Sequence, residues 1–243
     1  METQSLTVRV TDFIFDHIRR NQLGSGEELP SEVRTSTALN VSRGVVREAF
    51  RSLEVAGIIE KGNGRSPRVG SLNSSFLTYL LVHALLTRQV SLKQVLELRA
   101  SVEVTAARLA AERCLENDVE SLLRSAEGMR RSAADLNSFI QHDLQFHRTI
   151  NGATGNPLFD VICGAMLESM RESMRAGMLL RQGSADILRV VENHEAIATA
   201  IEERDPALVE LQMQRHFTET FLALDRIETG ERSHLDLSYR CSV

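Results

Sequence analysis

Long apolar runs are missing from this 243-residue chain. The nearest approach, around Phe76 to Leu86, is interrupted by Thr78, Tyr79 and His83 and falls short of the roughly 20 residues that a membrane helix needs. A secretory leader is not expected either. The first residues carry Glu2, Arg9 and Asp12, where a leader has a basic start followed by an apolar block. Cysteine is scarce: Cys114, Cys163 and Cys241 are odd in number and widely separated. That argues against a disulfide framework and suits thiols in a reducing cytosol. Internal repeats and low-complexity tracts are also absent. The class that remains is a cytoplasmic globular protein with no membrane partner. Apolar content of 42% and charged content of 25% are ordinary for it. The length is enough for two modest domains, each with its own core.

A basic excess is also lacking, since the net charge is −5. The charge is unevenly placed, however. From Ser31 to Gly70 there are seven Arg and Lys against four Glu, a balance of +3, and the remainder carries −8. Local field matters more than the total. The basic stretch contains SEVRTSTALNVSRGVVREAFRSL, Ser31 to Leu53, which reads as a helix, a turn and a second helix. At 100° per residue, Val45, Val46, Ala49, Phe50 and Leu53 fall on one side of the second helix, and Arg43, Arg47 and Arg51 on the other. Ser42 suits an N-cap, so free backbone N–H groups would sit beside a basic stripe. Phosphates bind helix N-termini and arginines, and a guanidinium can read guanine in the major groove. Taken alone, three arginines also fit a solvated surface face.

The neighbouring motifs decide between the two. Leu29-Pro30-Ser31-Glu32, Val41-Ser42-Arg43, Val46-Arg47-Glu48-Ala49 and Leu53-Glu54-Val55-Ala56-Gly57-Ile58-Ile59 occur in one order. This order resembles the winged helix-turn-helix of the GntR family of bacterial transcription regulators, from about Val8 to Val69. The resemblance implies operator contacts at Arg43 and Arg47. The family arginine that follows Pro-Ser-Glu is replaced by Val33, with Arg34 next to it as a candidate substitute. The candidate DNA contacts are Arg34, Ser42, Arg43, Gly44, Arg47 and Arg51. Gly62, Asn63 and Gly64 join them as the tip of a hairpin wing whose base carries Arg65 and Arg68. Those glycines, by themselves, equally fit a plain tight turn.

The expected fold is mainly α. A winged helix-turn-helix over 1–70, three helices with a small β-hairpin, is followed by a polar linker over 71–75. An all-α antiparallel bundle over 76–227 and a polar, mobile tail over 228–243 complete it. The first helix covers Thr7 to Asn21, and the strands are Ile58–Lys61 and Pro67–Val69. The bundle helices are expected at Phe76–Arg88, Ser91–Cys114, Glu116–Ala134, Asp135–Ala153, Asn156–Leu180, Ala185–Glu203 and Pro206–Ile227. Ser91 with Gln94 three positions on forms a capping box. Asn156-Pro157 and Asp205-Pro206 are helix starts with proline in the first turn.

Several polar residues of the bundle lie on its apolar stripes. Asp143 and His147 share one with Leu136, Ile140 and Ile150. His194 lies with Ile187, Val191 and Ile201, and His216 with Val209 and Met213. Each is costly to desolvate without a partner. One divalent cation would satisfy all four, and a His3Asp set suits zinc, with nickel or manganese as alternatives. Separate core imidazoles with local hydrogen bonds remain the other reading of each. Asp143-x-x-x-His147, Asn156, His194-Glu195-Ala196-Ile197 and His216 resemble the FCD-type effector domain of the FadR subfamily, over about Val90 to Leu224. In many of its members the equivalent Asp and three His hold a metal. Arg99, inward and followed by Glu103 at i+4, needs an anion. Glu103 can supply it, or Arg99 and Glu103 line a site for a small carboxylate effector; the resemblance implies small organic acids, sugar acids among them.

The resemblance implies a homodimeric, non-enzymatic regulator of a near-palindromic double-stranded DNA operator, modulated by a small organic acid beside the metal. Two alternatives stand beside it: a purely structural metal with no effector, and a metal-dependent hydrolase.

Overall fold

The computed structural model describes residues 5–60, 66–171, 174–175 and 185–228. The chain divides into two compact units, Met1–Phe76 and Leu77–Val243, each with a separate apolar core.

The first unit contains α1 (Leu6–Asn21), α2 (Glu32–Leu39), α3 (Arg43–Val55), β1 (Ile59–Glu60) and β2 (Arg68–Val69). Two serines start the paired helices. Ser31 Oγ accepts from the Arg34 N–H, and Ser42 Oγ from the Val45 N–H. Asn40 ends α2 in the left-handed region, at φ 50°, which turns the chain within three residues. Ser36 Oγ ties this turn by donating to the Val41 carbonyl. The strands pair antiparallel with Ile59 opposite Val69, and Glu28 forms an isolated bridge to Arg68. Gly70 lies so close to the Gly57 backbone that a Cβ there would collide with it. Val10, Ile14, Leu29, Val46, Ala49, Phe50, Leu53 and Ile59 form the core. Each strand starts one residue later than expected, at Ile59 and Arg68, and the expected end of the first, Lys61, lies outside the described residues. The expected wing tip, Gly62, Asn63 and Gly64 with Arg65, lies outside the described residues.

The second unit is helical among the described residues: α4 (Ser75–Leu86), α5 (Leu92–Arg113), α6 (Glu116–Arg131), α7 (Leu136–Ala153), α8 (Pro157–Ser169), α9 (Ala185–Glu202) and α10 (Pro206–Glu228). Helix α5 packs against α7, α8, α9 and α10, while α6 packs on α7 and α9. The alanines of α5 explain its central place. Ala106, Ala107, Ala110 and Ala111 are fully buried, and their small side chains let neighbouring backbones approach. Gly128 does the same for α6, since a Cβ there would meet the His142 ring of α7. Caps fix the helix starts. Ser91 and Gln94 make both bonds of a capping box, Asn156 caps α8 ahead of Pro157, and Asp205 Oδ1 accepts from Ala207 and Leu208.

Helix α8 is interrupted at Met170; Arg171, Met174 and Arg175 are again helical, and the expected end near Leu180 lies outside the described residues. Residues 172–173 and 176–184, and the tail from 229, lie outside the described residues. So does Cys241, whereas Cys114 and Cys163 are buried free thiols. No described helix is long and apolar enough to cross a membrane.

Candidate functional site

Helix α3 of the first unit has two chemically different sides. Val46, Ala49, Phe50 and Leu53 are buried, while Arg43, Arg47 and Arg51 are exposed along the opposite side. Ser42 and Gly44 are exposed at the helix start, and Arg34 is exposed on α2. Ser42 Oγ takes up one of the first N–H groups of α3, and the side chain missing at Gly44 keeps that helix end open to an approaching phosphate. Arg47 Nε is 3.5 Å from Glu32 Oε2, with the arginine side chain 60% exposed. A long surface pair of this kind is weak and readily exchanged for a phosphate or base contact. Arg68 is different: Nη1 donates to the Gly26 carbonyl at 2.6 Å, so it fastens the loop before α2 to β2.

The second unit places its polar groups inside. His147 on α7, His194 on α9 and His216 on α10 are buried, and each offers a ring nitrogen within 4.8 Å of the others. Their ring centroids are 4.7 to 5.5 Å apart. Phe146 and Phe217 stand edge-on against His194 and His216 and form an apolar wall. His194 is oriented from within its own helix. Its Nδ1 is 2.7 Å from the Val190 carbonyl, which can only accept, so Nδ1 carries the proton. In its neutral form the ring presents the Nε2 lone pair to Asp143 Oδ1, 3.1 Å away. Two acceptors at that distance need a proton or a cation between them. No hydrogen bond forms at His194 Nε2, and neither ring nitrogen of His147 has one. Buried nitrogens left open in this way fit a metal ion, and a nitrogen-rich set with one carboxylate fits zinc-like ions.

The electrostatics agree with that chemistry. Burial pushes the His216 imidazole well below its usual value, and neighbouring His194 and His147 push it further. It is therefore neutral, the form in which an imidazole could hold a metal. Burial would raise the Asp143 carboxyl, but His194 first, then His147 and Arg99, hold it below the ordinary range. Asp143 stands beside the three imidazoles and supplies charge.

Arg99 and Glu103 on α5 are buried and paired, Nε to Oε1 at 2.7 Å and Nη2 to Oε2 at 3.3 Å. Glu103 Oε2 also lies 2.7 Å from His147 Nδ1. Burial would raise the Glu103 carboxyl, yet Arg99 first and His147 next bring it down to about 2. Arg99 in turn stands 5.4 Å over the Phe217 ring. The structure thus brings Asp143, His147, His194, His216, Arg99 and Glu103 into one buried network. The contact of Phe146 with His194 and the link from Glu103 to His147 are tertiary and carried no sequence signal. Asn151 was also missed. It is one helical turn beyond His147, fully buried, with both amide atoms unpaired.

Two family models match the chain: "Bacterial regulatory proteins, gntR family" over residues 6–69, and "FCD domain" over residues 94–219, more than half of the chain. The chain belongs to the GntR family.

It is accordingly a transcriptional regulator of the GntR type with an FCD effector domain. Similar curated proteins are the HTH-type transcriptional repressors NanR of Cronobacter sakazakii and Citrobacter rodentium. The first is 28% identical, covering 95% of this chain and 89% of the relative. The second is 29% identical, covering 88% and 83%. Among solved structures, Streptococcus agalactiae GntR shares the fold at a TM-score of 0.59 and 22% identity, with 88% of this chain and 98% of that one covered. E. coli McbR/YncC gives 0.51 at 16%, with 93% and 100% covered.

Proposed function

We propose that this GntR-family regulator acts in the bacterial cytoplasm as a homodimer on a near-palindromic operator. Its DNA affinity is set by a small organic acid, a sugar acid among the candidates, bound beside a divalent metal. Zinc is the first choice of metal, with nickel or manganese next. The observation that carries the effector half is the buried group of His147, His194 and His216, with Asp143 alongside and ring nitrogens lacking hydrogen bonds. Bound there, the cation would supply a Lewis-acidic centre with a position for a carboxylate oxygen. Arg99, whose charge faces the same network, orients the anion. Arg43, Arg47 and Arg51, with Arg34, supply phosphate and base contacts, and the exposed helix start at Ser42 and Gly44 receives a phosphate. The ligand shifts DNA affinity only by as much as it prefers one arrangement of the heads over another. The NanR relatives are named repressors, and repression is the mode proposed here.

Two measurements test this. Arg47→Ala should weaken operator binding by about 1–3 kcal/mol in a gel-shift titration, and an unchanged affinity removes that contact. Purified protein should contain stoichiometric metal, and His194→Ala should lower metal content and melting temperature together. Metal-free wild-type protein after purification without chelator ends the metal assignment.

One observation favours a second reading. Arg99 already has a bidentate partner in Glu103, as a structural metal with no effector would require. Calorimetry against a panel of small acids, with and without chelator, separates the two. Heat that vanishes with the metal supports the effector.

A further inference from the structure

Glu103 lies where two sets of groups meet. It is on α5, whereas the three histidines come from α7, α9 and α10. One carboxylate oxygen lies 2.7 Å from Arg99 Nε and the other 2.7 Å from His147 Nδ1. The Glu103 and His147 side chains are 1% exposed and that of Arg99 3%, so no bulk water competes for either contact. The ring of His147 is turned so that its N–H does not yet align with Oε2, and its Nε2 has no partner. Nevertheless, a carboxylate can only accept. The proton of a neutral His147 therefore belongs on Nδ1, and the Nε2 lone pair is left for another electrophile. His194 reaches the same state by another route, through the Val190 carbonyl. A ligand imidazole whose second nitrogen donates to a carboxylate is fixed in tautomer and direction and is a more basic ligand.

We propose that Glu103 is the positioning residue of the metal centre, holding His147 as its Nδ1–H tautomer with Nε2 toward the cation, and that Arg99 anchors Glu103 in that role. This rests on the metal reading above and reassigns Glu103 from effector contact to ligand support. Glu103 cannot serve a free carboxylate, since like charges repel. It can hold an imidazole and a guanidinium at once.

The test uses zinc alone and the full chain. Zinc affinity is measured by competition with a chromophoric chelator for wild-type protein and Glu103→Gln. Glutamine keeps the volume and one acceptor but loses the charge shared between Arg99 and His147. Affinity should fall about 10- to 100-fold, with the helical circular dichroism of the metal-free variant retained. Because the variant could lose its fold, a second measurement is made on zinc-loaded wild-type protein. Long-range proton–nitrogen NMR spectra should place the His147 proton on Nδ1, which a merely structural Glu103 has no reason to dictate. Unchanged zinc affinity in folded Glu103→Gln, or a His147 proton on Nε2, overturns the assignment. Wild-type protein that binds no zinc overturns the metal reading itself. Wild type and variant binding zinc equally leaves the metal in place and removes only the role of Glu103.

Discussion

The two units carry their charged groups in opposite ways. In the first, Arg43, Arg47 and Arg51 lie exposed over a closed apolar core. In the second, Arg99, Glu103, Asp143 and three histidines are turned inward and satisfy one another incompletely. A surface charge is already solvated and costs the fold little. A buried charge is tolerable only while its partner remains. The first unit can therefore change its surface contacts without unfolding, whereas the second cannot lose one polar group without disturbing the rest.

The largest test of this contrast is Glu103→Ala, which leaves Arg99 buried without its anion. It should destabilise the metal-free protein by about 3–5 kcal/mol, read from urea unfolding. A loss below about 1 kcal/mol would mean that water reaches Arg99. Phe50→Ala asks the same of the other unit, where stability rests on apolar burial, and should cost about 3–5 kcal/mol. Acid distinguishes the units further. Glu103 and Asp143 have folded values below their unfolded ones, so their stabilisation is present above the ordinary carboxylate range and is lost as pH falls toward about 2 and lower. His216 is also lowered, and the unfolded chain gains its proton first, so destabilisation begins as pH drops through about 6.5. Metal-free bundle helices should melt at lower temperature at pH 5 than at pH 7.5. Circular dichroism checks this, and a flat profile contradicts the buried network. Gly70→Ala, forced against the Gly57 backbone, should cost about 1–3 kcal/mol. The smallest effect belongs to Arg43→Ala, within about 0.5 kcal/mol in stability although DNA affinity falls. A clear stability loss there would show that the exposed arginine holds the fold.

Local features were legible because their causes are local. Ser42, the Ser91–Gln94 box and Asn156-Pro157 announce helix starts through bonds made within three residues. The stripe holding Asp143 and His147 follows from helical periodicity alone. His194 and His216 could be placed on inner faces by the same argument. What sequence could not supply is which inner faces meet. The approach of Glu103 to His147 joins α5 to α7, and the facing of His194 toward Asp143 joins α9 to α7. Neither follows from spacing. Asn151 was missed because one amide beside apolar neighbours looks like an ordinary helix residue until its lack of partners is seen.

His147 and His216 belong to helices far apart along the chain. A cation held between them would close a loop of roughly seventy residues, and closing a loop of that size removes many conformations from the unfolded chain. Such a clasp differs from a disulfide in being reversible on the timescale of ion exchange. The folded fraction of this regulator would then track the free metal of its surroundings, so metal starvation alone would lower the amount of working protein.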